Sequence, residues 1–471
     1  MLFNSIEYVF FLPLVFLIYW AIGYAKIGDT LKLRLQNAFV IIASYVFYGW
    51  WDWRFLLLIA FTSFCSWGSG LLIAKAATQS KSKAWMIANI VLNLGILAIF
   101  KYYDFFTSEF CQLFGISSDG LLIKIILPVG ISFYTFQALS YSIDVYRKKI
   151  EPTKDIIAFF AFIAFFPQLV AGPIERATNL LPQFLTNRKF SYDQGVDGMR
   201  QILWGLFKKI VIADNCATYV DQVWATYDTQ TGSTLLLAAV LFTFQIYGDF
   251  SGYSDIAIGT AKLFGIKLMR NFNNPYFSRD IAEFWRRWHI SLTTWFRDYV
   301  YIPLGGSRNG QWKTIANTFW VFMLCAIWHG ANWTYMAWGL YNVALFIPLV
   351  LLHRTGRFKS QPATGKQIFR ILLTFALVTI GWVIFRAPTV ADAWGYFRTM
   401  CDIGWGVPIG IMDYTLWVAI AAIDVMLGLE WHYRNTDSIP LPRNIWISYI
   451  LIALIWFFAG HHTTDFIYFQ F

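Results

Sequence analysis

Long runs of residues without Asp, Glu, Lys or Arg dominate this chain. The hydrocarbon core of a bilayer is about 30 Å thick, and an α-helix crosses it in roughly 20 apolar residues. A helix also satisfies its own backbone groups in lipid. The pattern therefore predicts an all-α polytopic membrane protein with about ten to twelve transmembrane helices. The clearest runs are Tyr8–Ala25, Leu35–Trp51, Phe55–Ala74, Ala84–Phe100, Ile125–Ile143, Ile156–Ile174, Thr229–Gly248, Thr314–Leu352, Ile371–Phe385 and Asn444–Thr464, with weaker candidates at Phe105–Ile123 and Tyr414–Leu429.

Basic residues between these runs predict the orientation. The first run follows a stretch without Lys or Arg and is itself followed by Lys26, Lys32 and Arg34. Cytoplasmic loops carry an excess of Lys and Arg, so we expect a retained first helix with an extracytoplasmic N-terminus. Thr314–Leu352 is long enough for two crossings joined by a tight turn.

The composition narrows the class of protein. Hydrophobic residues make up 58% of the 471 positions and charged residues only 14%, too few to cover a soluble globular surface. The net charge is +10, but the basic residues lie in loops between the apolar runs, where they set the orientation in the membrane. No nucleic-acid partner is therefore expected. The five cysteines form no paired motif, and His461–His462 lack further ligands nearby, so no metal site is expected. Without repeats or long linkers, residues 1–471 are predicted to form a single domain.

The apolar pattern breaks between Arg270 and Arg308, where charged residues are frequent. Apolar residues recur there at spacings of three and four, which predicts an amphipathic helix at the interface or re-entering the protein. The segment could also be a simple anchor at the membrane surface, rich in Trp and Arg. Such an anchor would not explain the histidine at position 289, His289. The apolar positions are Phe284, Trp288, Leu292, Trp295 and Tyr299.

His329 is the only Asp, Glu, Lys, Arg or His residue in the run Thr314–Leu352. A titratable residue inside a membrane segment is a functional hypothesis by default, and a neutral buried imidazole can act as a general base. Gly330 and Asn332 follow it directly and predict a helix break that opens a cavity. The alternative is an inert, hydrogen-bonded histidine at a short turn.

Two carboxylates, Asp249 and Asp255, interrupt the end of another apolar helix among the small residues Gly248 and Gly252. Small residues allow close helix approach, and carboxylates at membrane depth need partners or a wet cavity. Asp249 is therefore either catalytic or a structural counter-ion, and the second interpretation is favoured.

Three blocks of sequence resemble the membrane-bound O-acyltransferase family, in particular its bacterial alginate O-acetyltransferase-like branch. The resemblance is strong over about residues 127–345, and the two chain ends also resemble this branch. The blocks are Phe166–Arg176, the segment from Asp249–Asp255 through Glu283–Leu292 to Pro303–Gly306, and Trp328–Trp333.

The resemblance implies an O-acyltransferase in the bacterial cytoplasmic membrane, with a cavity or tunnel in its helical body. It would move an acetyl group from a cytoplasmic thioester, either acetyl-CoA or an acyl carrier protein, to an exported or cell-wall polysaccharide. An extracytoplasmic acetyltransferase or hydrolase-like partner protein is expected, and no permanently bound cofactor. The family's membrane histidine falls on His329 and its second histidine on His289.

Other site residues are predicted with alternatives. Arg286, Arg287 and Arg297 are candidates for binding the donor's phosphates, or they pair with neighbouring carboxylates. Candidates for substrate positioning are Asn332, Trp328 and Asp249.

Two other functions remain open from the sequence. One is transfer of D-alanine from a carrier protein to a teichoic acid. The other is transport, because a polytopic transporter or flippase would also show many helices and an intramembrane histidine. No matched pair of interrupted hydrophobic segments suggests inverted repeats, which weighs against transport.

Overall fold

A computed structural model describes residues 1–170, 172–353, 364–436, 438–459 and 466–467. In these ranges the regular secondary structure is helical throughout, which confirms the predicted all-α class. The chain divides into two compact units, and the single domain stays a prediction. The first unit contains Met1–Ile202 and Ile256–Met269, and the second contains Leu203–Asp255 and Arg270–Phe471.

Side chains cap the N-termini of α1, α4 and α6 in the first unit. The Ser5 hydroxyl accepts from the amide of Tyr8, the Thr78 hydroxyl from that of Lys81, and the Asp155 carboxylate from that of Ala158. The helices are α1 (Ile6–Tyr24), α2 (Asp29–Asp52), α3 (Arg54–Lys75), α4 (Gln79–Phe114), α5 (Ile131–Tyr146), α6 (Ile156–Ala164), α7 (Phe166–Leu169), α8 (Ala177–Phe184) and α9 (Tyr192–Leu206), which ends in the second unit.

Within its described residues, the second unit adds ten α-helices, short 3₁₀ turns and two π-helical turns. The π-helical turns are Phe207–Ala213 and Arg297–Tyr301. The α-helices are α10 (Asp214–Ala225), α11 (Gly232–Leu263), which continues into the first unit, α12 (Ile281–Arg287), α13 (Ile290–Phe296), α14 (Gly310–His329), α15 (Trp333–Leu351), α16 (Gly365–Arg386), α17 (Val390–Asp402), α18 (Tyr414–His432) and α19 (Ile445–Phe458).

Seven of the described helices are long and apolar enough to cross a membrane: α1, α3, α4, α11, α15, α16 and α18. The other predicted crossings form helices that do not meet both conditions: α2, α5, α14, α19 and the pair α6 and α7. Residues 460–464 of the last predicted run lie outside the described residues.

Two predicted crossings differ in detail from the observed helices. The weaker candidate Phe105–Ile123 is not separate, because α4 continues to Phe114 and stops only where Gly115 adopts a left-handed φ of 63°. The run Ile156–Ile174 is broken after Ala164, and Pro167 stands in the first turn of the next short helix, where proline is tolerated.

Close backbone packing joins α11 to the π-helical turn Phe207–Ala213. A Cβ atom added at Gly252 would lie 2.8 Å from the carbonyl oxygen of Gly205 and 3.2 Å from the amide nitrogen of Lys209. At Gly248 it would lie 2.9 Å from the carbonyl oxygen of Lys208. The close approach predicted from the small residues is therefore confirmed.

Replacing Gly252 by alanine should separate these two backbones. We expect Gly252→Ala to lower the free energy of unfolding by about 1 to 3 kcal/mol, as overpacked sites do. In α3, a Cβ at Gly68 meets no atom within 4 Å, so Gly68→Ala is the matched control. Alanine should stabilise α3 by up to about 1 kcal/mol. Thermal unfolding of both variants in detergent checks this, and equal melting temperatures would contradict the packing described here.

Candidate functional site

His329 is the last residue of α14 and is buried, with 6% of its surface exposed. Gly330 follows in an extended conformation, and a Cβ there would lie 2.3 Å from the ring of Tyr335. The Asn332 side chain then begins α15 by accepting a hydrogen bond of 3.0 Å from the amide of Thr334. The helix break predicted after His329 is confirmed.

Aromatic rings contact the imidazole of His329 edge to face. The ring centroids lie 5.0 Å away for Trp328, 5.3 Å for Trp338 on α15 and 5.3 Å for Phe385 on α16. The side chain is therefore held by three helices in an apolar environment.

His289 separates α12 from α13. Its backbone has a φ of 44° and a ψ of 53°, the left-handed conformation that non-glycine residues adopt rarely. The predicted amphipathic segment is therefore two short helices rather than a continuous one. Its apolar positions are buried as predicted: Phe284, Trp288, Leu292, Trp295 and Tyr299.

Asn271 holds the turn at His289. Its side-chain oxygen lies 3.1 Å from Nδ1 of His289 and accepts a hydrogen bond of 2.9 Å from the hydroxyl of Ser291. Its carbonyl oxygen accepts from the amide of Ile290 at 2.8 Å. An amide oxygen cannot donate, so in the neutral imidazole Nδ1 carries the proton and Nε2 carries the lone pair.

Trp328 brings the two histidines together. Its ring centroid lies 6.0 Å from that of His289 and 5.0 Å from that of His329. Further rings join their surroundings, because Trp382 on α16 contacts Trp288 at 4.9 Å and Phe385 at 5.6 Å. We call this set the aromatic cluster, and its members are Trp288, Trp328, Trp338, Trp382 and Phe385.

Burial keeps His289 uncharged. The residue lies outside the seven candidate spans and has 1% of its surface exposed. Desolvation lowers the pKa of His289 from 6.5 to about 3. A neutral imidazole with its lone pair on Nε2 can accept a proton or a hydrogen bond from a substrate hydroxyl.

Asp249 forms an ion pair in the interior of the second unit. One carboxylate oxygen lies 2.7 Å from Nζ of Lys209, which also lies 2.8 Å from Asp214. The other oxygen accepts from the amide of Ile467 at 2.8 Å. These contacts favour the structural alternative for Asp249 over a catalytic one.

Predicted phosphate-binding arginines pair with carboxylates. Arg287 lies 2.9 Å from Glu283, which also pairs with Arg279 at 2.9 Å. Arg297 lies 2.7 Å from Asp298. Arg286 is half-buried on α12. The ion pairs match the alternative from the sequence, and phosphate binding stays a prediction.

Asn332 has two structural contacts. Besides capping α15, its side-chain nitrogen donates to the carbonyl oxygen of Pro388 at 2.9 Å. Its role in positioning a substrate stays a prediction. Among the described residues, no group of three or more His, Cys, Asp or Glu side chains could hold a metal ion. The pair His461–His462 lies outside these residues.

Several residues of the site were not predicted from the sequence. Asn271, Trp338, Trp382 and Phe385 contact or support the histidines, and nothing in their local pattern separates them from ordinary loop and membrane-helix residues. The asparagines near Asn271 could at most have indicated an irregular backbone, and not a contact with His289.

Comparisons with known proteins identify the family of this chain. A sequence model of the membrane-bound O-acyltransferase family matches residues 152–387, which include both histidines and the aromatic cluster. The chain is 40% identical to a probable alginate O-acetylase of Pseudomonas aeruginosa, covering 94% of this chain and 84% of that protein. It is 35% identical to a peptidoglycan O-acetyltransferase of Helicobacter pylori, covering 86% and 80%. Similarity to a teichoic acid D-alanyltransferase of Bacillus subtilis is lower, at 29% identity, covering 55% and 68%.

The lowered pKa of His289 predicts a specific acid sensitivity. The unfolded chain binds a proton at His289 below pH 6.5, whereas the folded protein resists it down to a pKa of about 3. Stability should therefore fall as the pH drops through this window, by about 2 kcal/mol at pH 5. Asparagine tolerates the left-handed backbone, so His289→Asn should remove this part of the loss.

Thermal unfolding in detergent at neutral and mildly acidic pH measures the effect. The exposed His432 offers the control, because His432→Asn should keep the acid sensitivity of the original protein. Equal acid sensitivity in His289→Asn and the original protein would show that His289 protonates freely in the folded state.

Proposed function

This chain belongs to the membrane-bound O-acyltransferase family, and we propose that it transfers acetyl groups for O-acetylation of an exported or cell-wall polysaccharide. The relatives from Pseudomonas aeruginosa and Helicobacter pylori, of which this chain covers 84% and 80%, are named for acetylation of alginate and of peptidoglycan. The observation that carries the site assignment is the shared contact of His289 and His329 with Trp328. Because the chain belongs to an acyltransferase family, we no longer retain transport as an alternative function.

His329 is the general base in this proposal. An acceptor hydroxyl is a weak nucleophile, so a base must remove its proton while its oxygen attacks the thioester carbonyl. The new C–O bond forms, the C–S bond breaks, and the proton passes through the imidazole to the departing thiolate. The edge-to-face rings of Trp328, Trp338 and Phe385 limit rotation of the imidazole and exclude water from it.

His289 is the second catalytic candidate. The Asn271 amide fixes its tautomer and leaves the lone pair on Nε2. From this position it orients the acceptor hydroxyl or the thioester through a hydrogen bond. Through its contact with Trp328, a change at one histidine is expected to affect the other.

The donor and the partners complete the proposal. The acyl donor is a cytoplasmic thioester, either acetyl-CoA or an acyl carrier protein, and the acceptor is reached from the other side through a cavity or tunnel. The chain is a multi-pass membrane protein, and we place it in the bacterial cytoplasmic membrane with its N-terminus outside. An extracytoplasmic acetyltransferase or hydrolase-like protein would pass the acetyl group to the sugar.

D-alanine transfer to a teichoic acid is the less favoured alternative. The match to the Bacillus subtilis D-alanyltransferase covers 55% of this chain, whereas the acetylase of Pseudomonas aeruginosa matches 94%. Mass spectrometry of the ester-linked group released from exported glycans separates the two, because it identifies acetate or alanine directly.

Replacing His329 should abolish ester formation. General base catalysis contributes about 10² to 10⁴-fold, so His329→Ala should lower the acetyl ester content of exported glycans by at least about 100-fold. The measurement compares strains with equal amounts of the protein in the membrane.

The exposed His432 supplies the matched control, and His432→Ala should keep the full ester content. Unchanged ester content in His329→Ala would reject the proposed base. Loss in His289→Ala together with full activity in His329→Ala would instead assign the base to His289.

A further inference from the structure

Asp424 is a carboxylate in the middle of the membrane-spanning helix α18, and its side chain is exposed. The chain from Tyr414 to Asp424 rises about 15 Å and that from Asp424 to His432 about 12 Å, at 1.5 Å per residue. An aspartate side chain is too short to reach the headgroups from there. The mechanism proposed above does not use this residue.

Asp424 stands alone in this respect. Each of the seven candidate spans lies wholly within the described residues. In these helices, every other exposed Asp, Glu, Lys, Arg or His side chain lies within five residues of a helix end. A charged residue at membrane depth normally faces the protein interior, so its exposure requires a physical explanation.

The residues around Asp424 form a narrow face suited to another helix. Ala421 is exposed one turn earlier, and a Cβ added at Gly428 would meet no atom within 4 Å. With Trp417 and Val425, which are 52% and 54% exposed, they span an arc of about 100° at 100° per residue. We call Trp417, Ala421, Asp424, Val425 and Gly428 the Asp424 face.

The opposite side of α18 is packed within the second unit. Glu430 there accepts a hydrogen bond of 2.6 Å from the hydroxyl of Tyr247. The two sides of α18 therefore differ, because the carboxylate of Glu430 is hydrogen-bonded inside the protein, whereas that of Asp424 points away from it. The buried residues of α18 are Leu416, Ala419, Ala422, Ile423, Met426 and Glu430.

We propose that the Asp424 face binds a transmembrane helix of a different protein, one that carries a Lys, Arg or His side chain at the depth of Asp424. Charge complementarity selects this occupant, because an ion pair offsets the cost of a carboxylate in lipid. Small residues at Ala421 and Gly428 let the partner backbone come close. A second copy is disfavoured as the occupant, because a twofold contact centred on this face would place Asp424 against Asp424.

Site-specific photo-crosslinking in native membranes tests this proposal. A photoreactive amino acid replaces Ala421 in the full-length protein, and mass spectrometry identifies the adduct. We expect one protein adduct, mapped to a membrane-spanning segment with a basic residue in its central third. The same probe at Leu372, which is 60% exposed on α16, is the positional control and should not give this adduct.

Substitutions at position 424 then test the charge. Asp424→Leu should lower the yield of the adduct at least tenfold, whereas Asp424→Glu and Val425→Leu should retain it. The Asp424→Leu protein should unfold at the same or a higher temperature, because a leucine in lipid costs less than a carboxylate. This readout does not depend on acyl transfer, so it can fail while the proposed function stands.

Four results would overturn the proposal. These are adducts with lipid alone, adducts with a second copy of this chain, a partner segment without a basic residue, and an adduct whose yield is unchanged in Asp424→Leu.

Discussion

The candidate site depends on burying two imidazoles in an apolar environment. Each lies at a break between helices, His289 between α12 and α13 and His329 between α14 and α15. A helix break exposes backbone groups that lipid cannot satisfy, so surrounding side chains must supply hydrogen bonds. Asn271 does this at the first break and Asn332 at the second. Trp328 of the aromatic cluster contacts both rings and so connects the two breaks.

Buried charged groups in the second unit also need partners inside the protein. The adjacent residues Lys208 and Lys209 are buried in a π-helical turn, and α11 supplies a carboxylate to each. Glycines on the same face of α11 allow the two backbones to approach closely enough for these pairs. Removing one partner of such a pair leaves an uncompensated buried charge, which costs far more than the pair contributes. These contacts favour a structural role for Asp249, and its role in positioning a substrate stays a prediction.

Much of the fold could be predicted from the sequence because lipid imposes a simple rule on composition and length. The helix break after His329 was also predictable, since Gly330 and Asn332 carry local signals. The break at His289 could not be predicted, because the spacing of apolar residues from Phe284 to Tyr299 fits a continuous helix. The left-handed backbone at His289 is held by hydrogen bonds to Asn271, which is distant in the local pattern. Trp338, Trp382 and Phe385 lie in helices rich in aromatic residues, where no local pattern marks the few that contact a histidine. For Arg287 and Arg297 the sequence left two alternatives open, phosphate binding and pairing with neighbouring carboxylates.

The central claim is that His289 and His329 act on one reaction as a unit. The most direct test is a double-mutant cycle on the initial rate of acetyl ester formation in membrane vesicles supplied with labelled acetyl-CoA. The account predicts strong non-additivity, with the double variant His289→Ala/His329→Ala as slow as His329→Ala alone. If the two substitutions instead lower the rate by independent factors that multiply, or if His329→Ala keeps the original rate, the account is contradicted.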